Sequence, residues 1–265
     1  MFRRAAVYSA RLKKLGSIFM VFVFLSFFVA LMHAESADKG AEGSAEELFY
    51  VSEQRIIVYA TADASRPYLE LRLREEVYVE GEEDNWLRIR TRDGAQGYVR
   101  RGSLSNVWIR VSKRSQTLWV YRGSELQVKL PVDLGYNYFA DKERRGNLED
   151  RDHWRTPDGQ FFVVSKNSGS KFYKAFVLNY PTAEDAERGF RSGIITRTER
   201  DAIVNAEAQS SMPPMNTALG GWIEIHGKGT GARSNWTQGC IALKDAEMDA
   251  LWKVVPLGTP VLIEP

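Results

Sequence analysis

Short alternating runs of apolar and polar residues dominate the chain from Leu48 onward, and a period of two predicts strands rather than helices. Arg55-Ile56-Ile57-Val58-Tyr59, Glu76-Val77-Tyr78-Val79-Glu80, Asn85-Trp86-Leu87-Arg88-Ile89-Arg90 and Gln96-Gly97-Tyr98-Val99 are the clearest of them. Arg92-Asp93-Gly94, between the last two, has the composition of a tight hairpin. Runs this short and this closely spaced predict a small barrel over residues 48–105. Tyr59, Tyr68 and Trp86 are candidates for a peptide groove on it, with Trp86 reading rather as core.

A second β texture begins at Val107. Val107-Trp108-Ile109-Arg110-Val111 and Gln116-Thr117-Leu118-Trp119-Val120-Tyr121 read as strands, and Arg122-Gly123-Ser124 turns the chain into a third from Leu126 to Leu130. That third strand is expected to run on through Pro131 to Asp133-Leu134-Gly135. Gln160-Phe161-Phe162-Val163-Val164-Ser165, Ala175-Phe176-Val177-Leu178-Asn179 and Val261-Leu262-Ile263 add three more. Thr182, three residues before Asp185, predicts the cap of a short helix reaching Phe190, and a second helix is expected from Thr198 to Ala208. Asp245 is the expected cap of a third, with Met248, Leu251, Trp252 and Val255 on one face. The charge-dense stretch 141–155 reads as a solvated loop rather than a substrate rim, and His153 within it as a surface residue. The stretch between these strands and His226, helices included, is long enough to cap a site or to pad the sheet edge. The fold class expected is mainly β: the small barrel, then a larger β domain over 107–265 with a few short helices.

At 265 residues the length fits two modest domains. Residues 15–32 carry no charge and follow Arg3, Arg4, Arg11, Lys13 and Lys14, so residues 1–34 read as a signal peptide or N-terminal membrane anchor. Ala34-Glu35-Ser36 offers a small-x-small cleavage site, and residues 35–47 have the small, polar, acidic composition of a linker. Either reading exports the remainder to the periplasm or cell envelope, touching the membrane only through an uncleaved N-terminal segment. The formal net charge of +2 belongs to the leader: without its five basic residues the chain has 31 basic against 34 acidic side chains, a net of −3. That balance gives no footing for a nucleic-acid partner.

Cys240 is the only cysteine, and His226, one of three histidines, lies fourteen positions before it. Trp222-Ile223-Glu224-Ile225 alternates like a strand, which sets His226 at a strand end. The polar, glycine-containing run from Lys228 to Trp236 can fold back and bring the two together. One cysteine permits no internal disulfide, so in an exported chain it reads as a reactive thiol. A free thiol, with a pKa of roughly 8.5, needs a base or a positive field to become a nucleophile, and His226 is the candidate. Gly239 lets the backbone approach a substrate closely, and the amides of Gly239 and Cys240 are candidate oxyanion donors. One cysteine and two exported histidines do not compose a usual zinc shell without carboxylates, and no metal or other cofactor is expected.

His226-Gly227 followed by Thr237-Gln238-Gly239-Cys240-Ile241-Ala242-Leu243 resembles the signature of the L,D-transpeptidase family of bacterial cell-wall enzymes, His-Gly, a spacer, then Ser/Thr-x-Gly-Cys-Ile/Val. Arg155-Thr156-Pro157-Asp158-Gly159 resembles the Thr-Pro-x-Gly turn upstream of it, so the likeness covers roughly Val107 to Pro265. Gln238 stands where many members have His, and Ala242 where many have Arg or Asn. Upstream, Trp86-Leu87-x-Ile89, Asp93-Gly94 and Gly97-Tyr98-Val99 are similar to bacterial Src-homology-3-like domains. The resemblance implies a β-sandwich with Cys240 at its mouth and acyl transfer on peptidoglycan stem peptides through a Cys240 thioester. His226 would be the base and the Gly227 carbonyl its orienter. Thr237 and Gln238 would shape the acyl pocket, and Arg233 or Lys228 would meet a substrate carboxylate, although the composition of their loop reads rather as solvated.

Peptidoglycan stem peptides are then the expected partner, with a wall-linked protein as a second candidate. Some members of the family cross-link stems and others hydrolyse stem-peptide or lipoprotein–peptidoglycan bonds; Lys171-Phe172-Tyr173 through Tyr180-Pro181 resembles a branch containing hydrolases. A non-catalytic wall-binding protein is a further alternative, which the intact His226/Cys240 pair disfavours. In papain-like wall endopeptidases the cysteine precedes the histidine, and sortases have a far longer gap and a following arginine with no counterpart here.

Overall fold

The computed structural model describes residues 47–265, all within one compact unit. The leader and most of the linker expected from the sequence lie outside the described residues. Within them no helix is long and apolar enough to cross a membrane.

Seven strands come first: β1 (Leu48–Val51), β2 (Arg55–Tyr59), β3 (Pro67–Arg72), β4 (Glu76–Glu83), β5 (Trp86–Thr91), β6 (Gln96–Arg100) and β7 (Leu104–Ser105). They pair antiparallel in the order β3-β2-β6-β5-β4-β1-β7. The period-two alternation buries Ile56 and Val58 of β2, Leu87 and Ile89 of β5 and Val99 of β6 in one cluster with Val51, Val77 and Leu104. Members from across the whole sheet share that cluster, so the sheet curls around its own core. Trp86 is buried, with Tyr59 edge-on at 5.5 Å and the Arg100 guanidinium 4.0 Å over its ring, while Tyr68 is exposed.

The second part holds β8 (Val107–Ser112), β9 (Thr117–Arg122), β10 (Glu125–Pro131), β11 (Leu134–Gly135), β12 (Gly159–Ser170), β13 (Tyr173–Leu178), β14 (Glu224–His226), β15 (Asn235–Thr237), β16 (Ile241–Ala242) and β17 (Pro260–Glu264). Eight of them form one sheet in the order β10-β9-β8-β17-β12-β13-β14-β16, and β11 pairs with β15 separately. The twelve-residue β12 is the joint. Its start, Gly159 to Phe162, pairs with β17, and the remainder from Val163 pairs with β13. Val107, Ile109, Val111, Leu118 and Val120 from one half of the sheet thereby share a core with Phe176, Leu178, Ile225 and Ile241 from the other. The protein is mainly β, as its alternation predicts.

Helix α1 (Ala183–Arg191) begins at Thr182, whose hydroxyl accepts from Asp185 N in a capping box. Helix α2 (Arg197–Ala208) is capped in the same way by Thr196 with Glu199, so it starts ahead of the expected Thr198. Ala186, Ile195, Ile203 and Leu219 give this pair its own small core. In α3 (Asp245–Val254), Asp245 is the first helical residue rather than the cap, and its carboxylate accepts from Lys228 N at 2.7 Å. The strand expected to continue from Leu126 to Gly135 is broken after Pro131. Proline has no N–H to donate, and the chain resumes in β11 on a different partner.

The two sheets are stitched by polar and cationic contacts. Tyr50 Oη donates to Val107 O at 2.8 Å and lies 3.0 Å from Thr259 Oγ1, all buried. The Arg74 guanidinium lies 4.0 Å over the Phe162 ring.

Candidate active site

Strand β14 carries Ile225 into the core and turns Glu224 and His226, two residues apart, to the opposite face, where both line a cavity of about 790 Å³. β16 runs parallel to β14 with Ile225 opposite Ile241 and His226 opposite Ala242. Continuing that register back by one residue sets Cys240 beside Glu224. Cys240, Thr237 and Gln238 line the same cavity, so the structure brings the predicted nucleophile and base into one site.

The thirteen-residue return between them is organised by Asp133, whose place in the sequence predicts a strand residue. Asp133 is fully buried, and its carboxylate accepts from Thr230 N (2.6 Å), Thr230 Oγ1 (2.8 Å), Ser234 N (3.0 Å) and Trp236 Nε1 (2.9 Å). Its backbone meanwhile bridges Ala242 in both directions, at 3.0 and 2.9 Å. Burial alone would raise its pKa, but the hydrogen bonds from Thr230, Trp236 and Ser234 outweigh it and hold the carboxylate below the usual range.

His226 is buried, its ring stacked on Phe172 with centroids 4.3 Å apart and flanked by Trp236. Its Nδ1 lies 2.7 Å from the Gly227 carbonyl. A carbonyl can only accept, so Nδ1 carries the proton and Nε2 is left as the basic nitrogen. Burial pushes the imidazole pKa below its usual 6.5. Gly227 admits this geometry because a Cβ there would lie 2.5 Å from Asp245 Oδ1 and 2.8 Å from Phe172 O.

Cys240 is half-buried, and its Sγ–H points at the Trp222 carbonyl at 3.4 Å. Burial of the thiol, and after it the Glu224 carboxylate, pushes its pKa up to about 12. The resting pair is thiol and neutral imidazole rather than thiolate and imidazolium. Thr237 braces the turn that carries the sulfur: its hydroxyl donates to Cys240 O at 2.7 Å and accepts from Gly239 N at 3.2 Å. The Gly239 amide, expected as an oxyanion donor, is therefore already engaged, whereas the Cys240 amide has no partner among the described residues. Gly239 is at φ +129°, and a Cβ there would meet Arg155 O at 2.5 Å, so a side chain is excluded on both counts.

Gln238 presents an exposed side chain to the cavity. Arg233 is not brought to the others. It is exposed, donates from Nε to Ser115 O at 3.3 Å and does not line the cavity. Lys228 is likewise turned to Lys171 O, at 2.9 Å.

The charged stretch 141–155 is not the solvated loop its composition suggests, because Lys142, Arg145 and Trp154 form a wall of the cavity. Lys142 is buried, and His153 is buried rather than on the surface, its carbonyl accepting from Lys142 Nζ at 3.2 Å. The segment after α2 contributes too: Gly220, Gly221 and Trp222 line the cavity, with Gly220 against Lys142. Among the described residues no group of three His, Cys, Asp or Glu side chains is placed to hold a metal ion.

Comparison with known proteins places this site in a family. Residues 106–263 match the L,D-transpeptidase catalytic domain, the YkuD family. No curated protein matches the chain. Among solved structures it is similar to Bd1075 of Bdellovibrio bacteriovorus, at 21% identity and TM-score 0.37, over 60% of this chain and 47% of that one. It is similar to the helical cell shape determining protein Pgp2 of Campylobacter jejuni at 20% identity and TM-score 0.40, again over 60% and 47%. An L,D-transpeptidase of Mycobacterium smegmatis shows 15% identity and TM-score 0.35, over 72% of each chain. This chain thus spans about half the length of the first two.

Proposed function

The chain belongs to the L,D-transpeptidase catalytic domain family, and from that premise we propose that it is an exported acyltransferase acting on peptidoglycan stem peptides through a thioester on Cys240. Residues 107–265 are its catalytic part, and residues 48–105 are a Src-homology-3-like domain that meets the wall.

The observation that carries this reading is the tautomer lock on His226. With Nδ1–H held by Gly227 O at 2.7 Å, Nε2 faces the cavity as a base. Nε2 removes the thiol proton as Sγ attacks the carbonyl that precedes a terminal D-alanine. The developing oxyanion takes the free Cys240 amide. Imidazolium then hands the proton to the departing amine, the C–N bond breaks, and the stem remains as a thioester. In the second half an acceptor amine, or water, gives its proton to Nε2, attacks the thioester, and the thiolate leaves to be reprotonated by His226. A thiol pushed up to about 12 requires proton transfer to accompany attack, because little thiolate exists at rest.

Incubation with purified muropeptides followed by mass spectrometry tests the reading. Cross-linked dimers are expected with the native protein, and neither dimers nor trimmed monomers with Cys240→Ala. Turnover that survives in Cys240→Ala would refute it. Trimmed monomers alone would make water the acceptor and the protein a hydrolase of the same bonds.

A further inference from the structure

Lys142 is a buried cation with no salt-bridge partner among the described residues. Its ammonium has three N–H donors, and the two that find partners meet only carbonyls, His153 O at 3.2 Å and Gln238 O at 3.5 Å. Asp141, whose charge reaches it, is occupied elsewhere, with Oδ2 3.2 Å from Arg188 and Oδ1 accepting from the backbone amides of Asp158 and Lys142. Arg145, at the rim of the same wall, is also satisfied by carbonyls alone, Thr217 O at 3.3 Å and Met215 O at 3.0 Å. Both side chains line the cavity that holds Cys240. Burying a charge without an opposite one is costly, and an anion entering the cavity would offset that cost.

Gly220 lies against Lys142, where an added Cβ would come within 3.1 Å of Lys142 Cε. Desolvation lowers the pKa of the ammonium to about 8. Through Gln238 O the ammonium also touches the turn that presents the nucleophile. An anion seated here would lie in the cavity that holds Cys240, beside the turn that presents the sulfur.

We propose that Lys142, with Arg145 at the rim, is the seat for the free carboxylate of the residue expelled from the donor peptide. This rests on the stem-peptide reading above and adds the group by which the donor's end is recognised. A donor with a single residue after the scissile bond puts its carboxylate on Lys142. One whose end is an amide offers the ammonium a neutral group and leaves the charge unmet.

Two ligands decide it: a stem tetrapeptide with a free C-terminal carboxylate and the same peptide ending in a carboxamide. Their binding is measured calorimetrically to Cys240→Ala, and their turnover is measured with the native enzyme. The acid is expected to bind roughly 10- to 100-fold more tightly than the amide, the scale of a charge-assisted contact. Lys142→Met should erase the preference, Lys142→Arg should restore part of it, and Arg145→Gln should reduce it less. Should Lys142→Met fail to fold, the acid-against-amide comparison in Cys240→Ala and the Arg145→Gln variant carry the test. A strut that only braced the Gln238 carbonyl would weaken both ligands equally and leave their ratio unchanged. Equal binding of acid and amide alongside normal turnover overturns the seat and leaves the acyltransferase reading standing. Discrimination in Cys240→Ala without any turnover by the native enzyme does the reverse.

Discussion

Thr237 Oγ1 donates to Cys240 O at 2.7 Å and accepts from Gly239 N at 3.2 Å, so one hydroxyl closes the turn on which the nucleophile stands. Valine has the shape of threonine but neither donates nor accepts, and each lost hydrogen bond costs about 1 kcal/mol in stability, more where the stranded group is buried. Thr237→Val is expected to lower Tm by several degrees and to slow acylation of Cys240 by about tenfold or more. Thr237→Ser should keep both properties near native. Thermal unfolding together with intact-mass kinetics of acylation checks this. A Thr237→Val protein that acylates at the native rate would show that the hydroxyl holds nothing the reaction needs.

The pair His226/Cys240 was legible in the sequence because a strand end, a foldable polar loop and a glycine-flanked cysteine lie within one short stretch. The strands were legible for the same reason: period-two alternation is local. What could not be read were groups contributed from far along the chain. Asp133 looked like a strand residue, yet its carboxylate organises a loop roughly a hundred residues later. Lys142 sits in a charged run whose composition is that of a surface loop. Only the packing of Gly220 against it, far along the chain, reveals that the ammonium is buried. His153 was misjudged likewise, since its burial comes from tertiary packing and not from its neighbours in sequence. Arg233 erred in the other direction: it lies between the two reacting residues in sequence and points away from them in space.

The charge state of the site can be read by alkylation. Burial and the Glu224 carboxylate both raise the Cys240 thiol, and burial lowers His226. Iodoacetamide should therefore react slowly at neutral pH, with a rate still climbing above pH 9, as follows from a pKa near 12. Removing the negative charge with Glu224→Gln should lower the thiol pKa and speed alkylation at a given pH. Enzymatic acylation should instead rise through a value below 6.5, where His226 loses its proton, and then level. A plateau of alkylation reached by pH 6 would mean a preformed thiolate–imidazolium pair and would overturn this account.

The Asp133 carboxylate, with its four hydrogen bonds, has a pKa held below the ordinary range. The sign follows: its contribution is present above the unfolded value of about 3.9 and is lost as pH falls through the lower folded one. Asp133→Asn replaces an acceptor oxygen by an NH₂ facing N–H donors and should cost roughly 3 kcal/mol, since hydrogen bonds to charged groups are worth about 1.5–3 kcal/mol each. The loop it organises carries Lys228 and the exposed Arg233, both trypsin sites. Limited trypsinolysis should nick Asp133→Asn there well before the native protein. Equal cleavage rates would show that the loop is held by something else.

Residues 48–105 are joined to the rest of the chain by buried contacts at Tyr50 and by Arg74. Tyr50 Oη reaches Val107 O at 2.8 Å and Thr259 Oγ1 at 3.0 Å, and Arg74 covers the ring of Phe162 at 4.0 Å. Tyr50→Phe removes the donor to the Val107 carbonyl, while the Thr259 hydroxyl keeps Pro256 O at 2.8 Å, and should cost about 1–3 kcal/mol. Arg74→Ala removes a cation–π contact worth about 0.5–2 kcal/mol and uncovers Phe162. Neither substitution touches the cavity, so turnover per folded molecule should stay near native while the unfolding midpoint falls in both. Deleting 48–105 outright should then lower the stability of the remainder as well as its retention on isolated sacculi. If the truncated protein melts at the native temperature and turns over soluble stem peptides normally, the first sheet is a separable module and the contacts at Tyr50 and Arg74 carry little of the fold's stability.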